Sequence, residues 1–299
     1  MSVRIATFNL ENLFARYDFA KTPDPTQPDG CTINPAAFIA FGEVDRQITA
    51  QVIREVNADI LGLQEVESLP ALDAFSARYL PKLGYKHRIL IDGFDPRRIN
   101  VALLSRYPIM GVRSYRNERN KAGTGYLFSR DCLEAAIEVG GSLLVLYVNH
   151  FKSMIEGRAA THARRKEQAD RVALIVRDRW GAARYEGNFI VLGDLNDYPD
   201  GRTAIGTLLE HPGLQNVVDR LPDGGRWTHY YPGRNEYKQL DYLLLSKSLA
   251  AANSGNPGIL RKGMPFRAEL YTGDRFPWVG EDNPKASDHA PVYMDVELK

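Results

Sequence analysis

The chemistry in this chain gathers at the ends of its apolar runs. Ile5-Ala6-Thr7-Phe8 ends in Asn9, Ile60-Leu61-Gly62-Leu63 in Gln64-Glu65, and Leu144-Val145-Leu146-Tyr147-Val148 in Asn149-His150. Ile190-Val191-Leu192-Gly193 leads into Asp194-Leu195-Asn196-Asp197. Asp241 opens another run, and Ser287-Asp288-His289 stands just before the last one. A polar group at a strand end can face a cleft at the sheet edge without entering the core. Any one of these reads equally well as a turn or helix cap. Six together are hard to explain as caps and point to one shared pocket.

Metal-assisted phosphoryl transfer is the chemistry that such a set supports. A hard divalent cation such as Mg²⁺ takes one or two carboxylates, waters and a substrate phosphate. Glu65 and Asp288 are the obvious carboxylates. Asp194 and Asn196, two residues apart on an extended segment, can project to one side. There Asp194 can take a proton from water while Asn196 orients that water. His289 and His150 can stabilise charge on the non-bridging phosphate oxygens. A buried Asp241 bonded to His289 would fix its tautomer and raise its pKa. A lone histidine is more often structural, but His289 sits between an Asp and Ala290-Pro291 at a strand start, which favours function.

These side chains need strands and helices to position them. Strand-like runs recur at 3–8, 60–63, 85–91, 101–104, 109–115, 133–139, 143–148, 189–192, 240–245, 266–271 and 292–296. Helical periodicity appears at 44–56, with Val44, Ile48, Val52, Ile53 and Val56 on one face, and at 69–80, with Leu72, Phe75, Tyr79 and Leu80. A third helix is expected from about 158 to 180, turning Ala169, Val172, Ala173, Val176 and Trp180 inward. Gly140-Gly141 reads as a hairpin turn. The mixture predicts an α/β fold with mixed, mostly antiparallel sheets and helices outside, in one domain over 1–299. Segments 15–42 and 253–265 read as long loops.

Composition narrows the class. Of the 299 residues, 44% are hydrophobic and 25% charged, with a net charge of +1. A disordered chain would carry fewer apolar residues and more net charge. No run approaches the length of a membrane span. Charge is unevenly placed: residues 86–121 hold nine Lys/Arg against three Asp/Glu, and residues 41–75 hold seven Asp/Glu against two Arg. An acidic cluster beside a basic one can hold a metal next to a phosphate. Solvated charged faces explain the same counts. Cys31 and Cys132 cannot make a disulfide framework, though one bridge is conceivable, and neither has zinc-type spacing. The start, Met1 followed directly by a strand-like run, predicts a cytoplasmic protein. A secreted one whose leader had been removed would read the same.

Taken in order, Thr7-Phe8-Asn9, Leu63-Gln64-Glu65, Leu103-Leu104-Ser105-Arg106-Tyr107-Pro108, Val148-Asn149-His150-Phe151-Lys152-Ser153, Gly193-Asp194-Leu195-Asn196, Leu240-Asp241-Tyr242 and Ser287-Asp288-His289 form a recognisable series. The series resembles the endonuclease/exonuclease/phosphatase superfamily, over nearly the whole chain. The resemblance implies a four-layered α/β sandwich, two mixed sheets face to face with helices outside. It implies that Glu65 is the principal metal ligand, with Asn9 and Asp288 beside it. Asp194 and Asn196 would position the nucleophile, and His289 would act with Asp241 as partner.

His150 stands where deoxyribonuclease-like members have a second histidine and abasic-site enzymes a tyrosine. In that branch a glutamate on a neighbouring strand supports the second histidine, and the stretch around Asn100-Val101-Ala102 holds none. Asn9-Leu10-Glu11-Asn12 and Gly193-Asp194-Leu195-Asn196-Asp197-Tyr198 are similar to bacterial nuclease-like members, including extracellular ones. The implied cofactor is Mg²⁺ or Mn²⁺, with room for a structural Ca²⁺. The implied partner is a nucleic acid substrate, and a monomer without a protein partner is expected. Arg98, Asn100, Lys152 and Arg165 are then candidate phosphate contacts, with little sequence specificity. For Arg165, on a helix, a solvated surface charge is the competing reading.

Two other functions compete. One is a phosphatase or phosphodiesterase acting on a small molecule or lipid headgroup. The segment Tyr237-Lys238-Gln239-Leu240-Asp241-Tyr242 lacks the Trp-Cys-Asp-Arg signature of inositol polyphosphate phosphatases. It also lacks the Trp and Arg that accompany abasic-site specificity. The other is a catalytically silent binding protein on the same scaffold, against which the intact set of Glu65, Asp194, Asn196, Asp241 and His289 argues.

Overall fold

The computed structural model describes residues 2–16, 39–40 and 43–299. Most of the 15–42 segment lies outside these, with Cys31 and its pairing to Cys132. In chain order the elements are β1 (Ser2–Leu13), β2 (Ala15–Arg16), β3 (Ile39–Ala40), α1 (Glu43–Val56), β4 (Ile60–Val66), α2 (Leu69–Tyr79), β5 (His87–Leu90), β6 (Asn100–Ser105) and β7 (Ile109–Ser114). There follow β8 (Cys132–Val139), β9 (Ser142–His150), α3 (Arg158–Trp180), β10 (Phe189–Asp194), α4 (Gly206–Leu209) and β11 (Leu214–Asn216). The chain continues through β12 (His229–Tyr231), β13 (Glu236–Lys238), β14 (Asp241–Ser246), α5 (Lys247–Ala252), β15 (Gly258–Ile259) and β16 (Val292–Glu297).

Two six-stranded sheets face each other, ordered β15-β16-β1-β4-β6-β5 and β11-β14-β10-β9-β8-β7. In each, the central pair is parallel (β1 with β4, β9 with β10) and the other pairs are antiparallel. Strand alternation makes the layers. Val3 and Ile5 of β1 point between the sheets, into a core shared with Leu144, Leu146, Ile190, Leu192, Leu243 and Met294. Ala6, Phe8 and Leu10 point the other way, against Ile48, Val52 and Ile53 of α1 and Leu72 and Phe75 of α2. The second sheet turns Val145, Tyr147, Phe189 and Val191 out against Ala169, Val172 and Val176 of α3. The result is the expected four-layered α/β sandwich of two mixed, mostly antiparallel sheets. Among the described residues no helix is long and apolar enough to cross a membrane.

Two local expectations are corrected. Residues 266–271 form turns rather than a strand: Phe266 and Leu270 are exposed, while Ala268 packs with Met264, Trp227, Tyr230 and Ala290. Their backbone bonds go to Gly280 and Glu281 instead of a sheet neighbour. Val44 is exposed because it lies in the first turn of α1, before the buried stripe begins. Trp180, at the end of α3, turns inward as expected: half-buried, it stacks on Phe189 with ring centroids 4.7 Å apart and donates its indole N–H to the Tyr147 hydroxyl at 3.0 Å.

Candidate active site

Strand parity carries polar groups to one edge of the sandwich. On β10, Ile190 and Leu192 face between the sheets, so Asp194 does too. The same period takes β9 from Leu146 and Val148 to His150, and β14 from Leu243 back to Asp241. On β1 it places Asn9 on the inner face, after Ile5 and Thr7. Glu65 breaks this rule. Leu63 and Val66 both face the helices, three residues apart, and the ladder shifts between them. Glu65 sits there at φ +62°, in the left-handed region that costs a side-chain-bearing residue free energy. The bulge turns Glu65 toward the pocket. A second irregularity follows Asn9, where Glu11 and Asn12 have φ +46° and +66°.

A cavity of about 430 Å³ at this edge is lined by Glu11, Glu65, His150, Asp194, Asn196, Asp288 and His289, among others. Asp241 is buried beneath it. Its Oδ2 lies 2.8 Å from His289 Nδ1 and accepts the Thr228 hydroxyl at 2.7 Å. Asp194 is gripped by amides: Asn196 N–H and Nδ2 donate to it at 2.8 and 3.0 Å, and Asn9 Nδ2 at 3.1 Å. His150 Nε2 is 3.5 Å and His289 Nε2 3.8 Å from its Oδ2. Glu65 accepts the Asn12 N–H at 3.1 Å, and its Oε1 lies 3.8 Å from both Arg97 and His150 Nε2.

Burial and neighbouring charge set the protonation states. Burial opposes charge on His289, yet Asp241, Asp194 and Asp288 prevail and hold its pKa well above the usual value. His150 goes the other way. Burial, then Arg130, His289 and Arg97, push it well below its usual value, and its buried Nδ1 has no partner. Burial, reinforced by Asp241, lifts the Asp194 carboxyl to about 7 against His289 and the amides. Glu65 is raised by burial and by Asp288. Asp288 is lowered: burial works against it, but His229, His289 and Lys285 outweigh that.

The donor set suits a divalent cation. Glu65, Asp288 and Glu11 are three carboxylates on one cavity, and Asp288 raises the pKa of each of the other two. That mutual repulsion is what a cation relieves. Glu11 is pushed up to about 7, chiefly by burial, accepts the Asp288 N–H at 2.8 Å and pairs with Lys285 at 2.9 Å. Asn9 Oδ1 accepts the Glu11 N–H at 3.0 Å, which ties this amide to the acidic turn. Two further groups bring ligand atoms within 4.8 Å of one another: His229, Asp288 and His289, and Asp194, Asp241 and His289.

The structure thus brings Asn9, Glu65, His150, Asp194, Asn196, Asp241, Asp288 and His289 together. It brings none of the four expected phosphate contacts to the lining of this cavity. Arg165 is fully buried, engaged by Asp197, Thr161 and the Arg158 carbonyl. Asn100 is buried, binding the Gly93 N–H and the Glu67 carbonyl. Lys152 pairs with Glu156. Arg98 lines an adjoining cavity with Arg97, Lys285 and Glu11. Sequence reasoning missed Glu11, Arg97, Arg130 and His229 as cavity residues. Only Glu11 carried a signal, two residues after Asn9 on the same run.

No curated protein matches the sequence. Among solved structures, the human Nocturnin catalytic domain, determined with a bound sulfate anion, superposes with a TM-score of 0.64 at 16% identity, over 100% of this chain and 95% of that one. A Bacteroides vulgatus endonuclease/exonuclease/phosphatase gives 0.64 at 18% identity, over 100% of both chains. Truncated Caenorhabditis elegans TDP2 gives 0.61 at 16%, over 99% and 97%. At these identities the likeness is one of fold. The sequence profile described as "Endonuclease/Exonuclease/phosphatase family" matches residues 7–289, which takes in every strand-end group from Asn9 to His289. The chain belongs to that family and is a metal-dependent hydrolase of phosphate esters.

Proposed function

We propose that this hydrolase is a nuclease, cleaving DNA or RNA phosphodiesters with Mg²⁺ or Mn²⁺ and little sequence specificity. The observation that carries this reading is the placement of Asp194. Amides on β1 and the β10 turn fix its carboxylate, and a charged and a neutral histidine flank it in an open, partly basic cleft.

Glu65 and Asp288, with Glu11 beside them, would hold the ion, and a bound ion would polarise the phosphate and shield the leaving oxygen. Asn196 donates its backbone N–H and its side-chain amide to Asp194, the amide also reaching the Phe151 carbonyl, and its side-chain oxygen would orient a water. Asp194 takes that water's proton during in-line attack. His289, kept cationic by Asp241, faces the charge that builds on the non-bridging oxygens. His150, neutral, donates from Nε2 toward the same phosphate. Arg97, Arg158, Arg234 and Lys238 around the cavity suit a polyanionic strand and carry no base readout of their own.

The test offers plasmid, single-stranded DNA, RNA and small phosphomonoesters with Mg²⁺, Mn²⁺ or EDTA. Metal-dependent shortening of a polynucleotide supports the nuclease, and fragment sizes separate internal from terminal cutting. Turnover confined to small phosphomonoesters would replace the reading with a phosphatase.

A further inference from the structure

One wall of the cavity differs in kind from the rest. It is built from the β12–β13 hairpin and residues 153–157, which contribute Tyr231, Arg234, Glu236 and Lys238 on one side and Met154 and Ile155 on the other. Ile155 is 80% exposed and Tyr231 48%, which is costly for large apolar groups at the lip of a polar site. Tyr231 is also backed: a Cβ on Gly233 would come within 3.1 Å of its ring, so the hairpin turn lies against it. Such support holds the ring in place before any ligand arrives.

The cations here are also distinctive. Arg97, Arg130 and Arg158 face Glu65, Asp95 and Asp197 or Asp200. Lys238 has no carboxylate partner among the described residues and lies 4.4 Å from the Tyr198 ring centroid. Tyr198 carries Arg158 at 3.7 Å. Lys238, Arg158 and Tyr198 also line a neighbouring cavity with Asp200 and Arg202, so the groove continues past the hairpin.

We propose that this wall is a subsite for one unstacked nucleotide next to the scissile phosphate. Its base lies on Tyr231 and Ile155 and its phosphate on Lys238 and Arg234, which makes the enzyme selective for single strands. The inference rests on the nuclease reading and deepens it. Duplex contact needs cations along the backbone and gains nothing from an apolar lip, because paired bases are stacked on each other. A single strand offers each base face, and an aromatic side chain beside a phosphate-binding cation takes it. Glu236 in the same wall keeps the subsite from being uniformly basic, which favours a fitted nucleotide over indiscriminate polyanion binding.

The test is fluorescence anisotropy with a labelled oligonucleotide, single-stranded or annealed to its complement, in EDTA so that binding is read without cleavage. Single strand is expected to bind at least about ten-fold more tightly than duplex. Tyr231→Ala and Ile155→Ala each erode that preference, and Tyr231→Phe retains it. The aromatic loss is expected at about ten-fold in single-strand affinity. Equal affinity for both forms, or a Tyr231→Ala protein that binds single strand like the parent, overturns the subsite. Sedimentation with phosphatidylserine vesicles without oligonucleotide binding also overturns it, in favour of a membrane-facing lip. Cleavage assays with metal on the same oligonucleotides are read separately. If nothing is cut, the nuclease reading falls, and the anisotropy still decides the subsite.

Discussion

Asp194 and Asp241 are both buried aspartates at strand ends, and their surroundings set them apart. Asp241 has His289 at 2.8 Å and a threonine hydroxyl, while Asp194 has amides and two imidazoles at 3.5 Å or beyond. In the proposed mechanism Asp241 holds His289 as a cation and Asp194 exchanges a proton. Asp194→Asn keeps the shape and removes the acceptor, so metal-dependent turnover is expected to drop at least 10²-fold with an unchanged melting curve. Turnover within a few-fold of the parent would remove Asp194 from proton transfer. Glu65→Gln is expected to raise the metal concentration needed for half-maximal activity, read by titrating Mn²⁺.

Away from the cavity, Asp131 gives a pH prediction. Burial lifts its carboxyl to about 6 from 3.8, despite bonds from Ser114, Tyr115 and Cys132 and the nearby Arg116. Between those values the folded chain holds a proton that the unfolded chain has released, so stability falls as pH rises from 4 to 6. Asp131→Asn keeps an acceptor for the Tyr115 N–H. It is expected to flatten that dependence and to stabilise the protein at pH 8 by about 2–3 kcal/mol. Denaturant melts at pH 4 and pH 8 check it. At this scale the sequence was legible where a polar residue ended an apolar run, as with Asp241 and His289. It was not legible for Arg165 and Asn100, whose charge or amide suggested a ligand but whose partners include groups more than thirty residues away, nor for Lys152, which pairs with Glu156 one helical turn's spacing along the chain.

Among the elements, alternation was readable and its interruptions were not. The strand-sized apolar runs placed most strands of the two large sheets, and the 3.6-residue period placed the inward face of α3, because burial on one face is written directly in the side chains. The bulge that turns Glu65 leaves no such mark: the apolar run 60–63 ends in Gln64-Glu65, and nothing in it shows that Val66 returns to the helix side. The stretch 266–271 shows the opposite failure, strand-like residues with no neighbouring strand to pair with. Gly193 shows what one turn demands. It has φ +132°, and a Cβ there would stand 2.0 Å from the Asn149 carbonyl oxygen. Gly193→Ala should push β9 and β10 apart where Asp194 and His150 are paired in register. We expect both a lower melting temperature and a turnover loss larger than the stability loss explains, measured on the folded fraction.

For the whole molecule, the two sheets share one plan, each with a parallel central pair and antiparallel flanks, and the cavity opens where both pairs end. Three carboxylates that repel there should make the protein metal-responsive as a body. Millimolar Mg²⁺ or Mn²⁺ is expected to raise the melting temperature. At 100 times the dissociation constant the gain is about 2.7 kcal/mol, and EDTA should reverse it. A melting curve indifferent to both would remove the carboxylate cluster as a cation site.

The first strand lies between β4 and β16, with Ser2 opposite Glu297 and Thr7 opposite Val292. Asn9 from near one end therefore meets Asp288 and His289 from near the other. On a translating ribosome, the growing polypeptide cannot close this sheet or complete the cleft until residues beyond 290 have left the exit tunnel. A metal-dependent phosphoester hydrolase built on this plan gains its cleft only as its last strand docks beside its first.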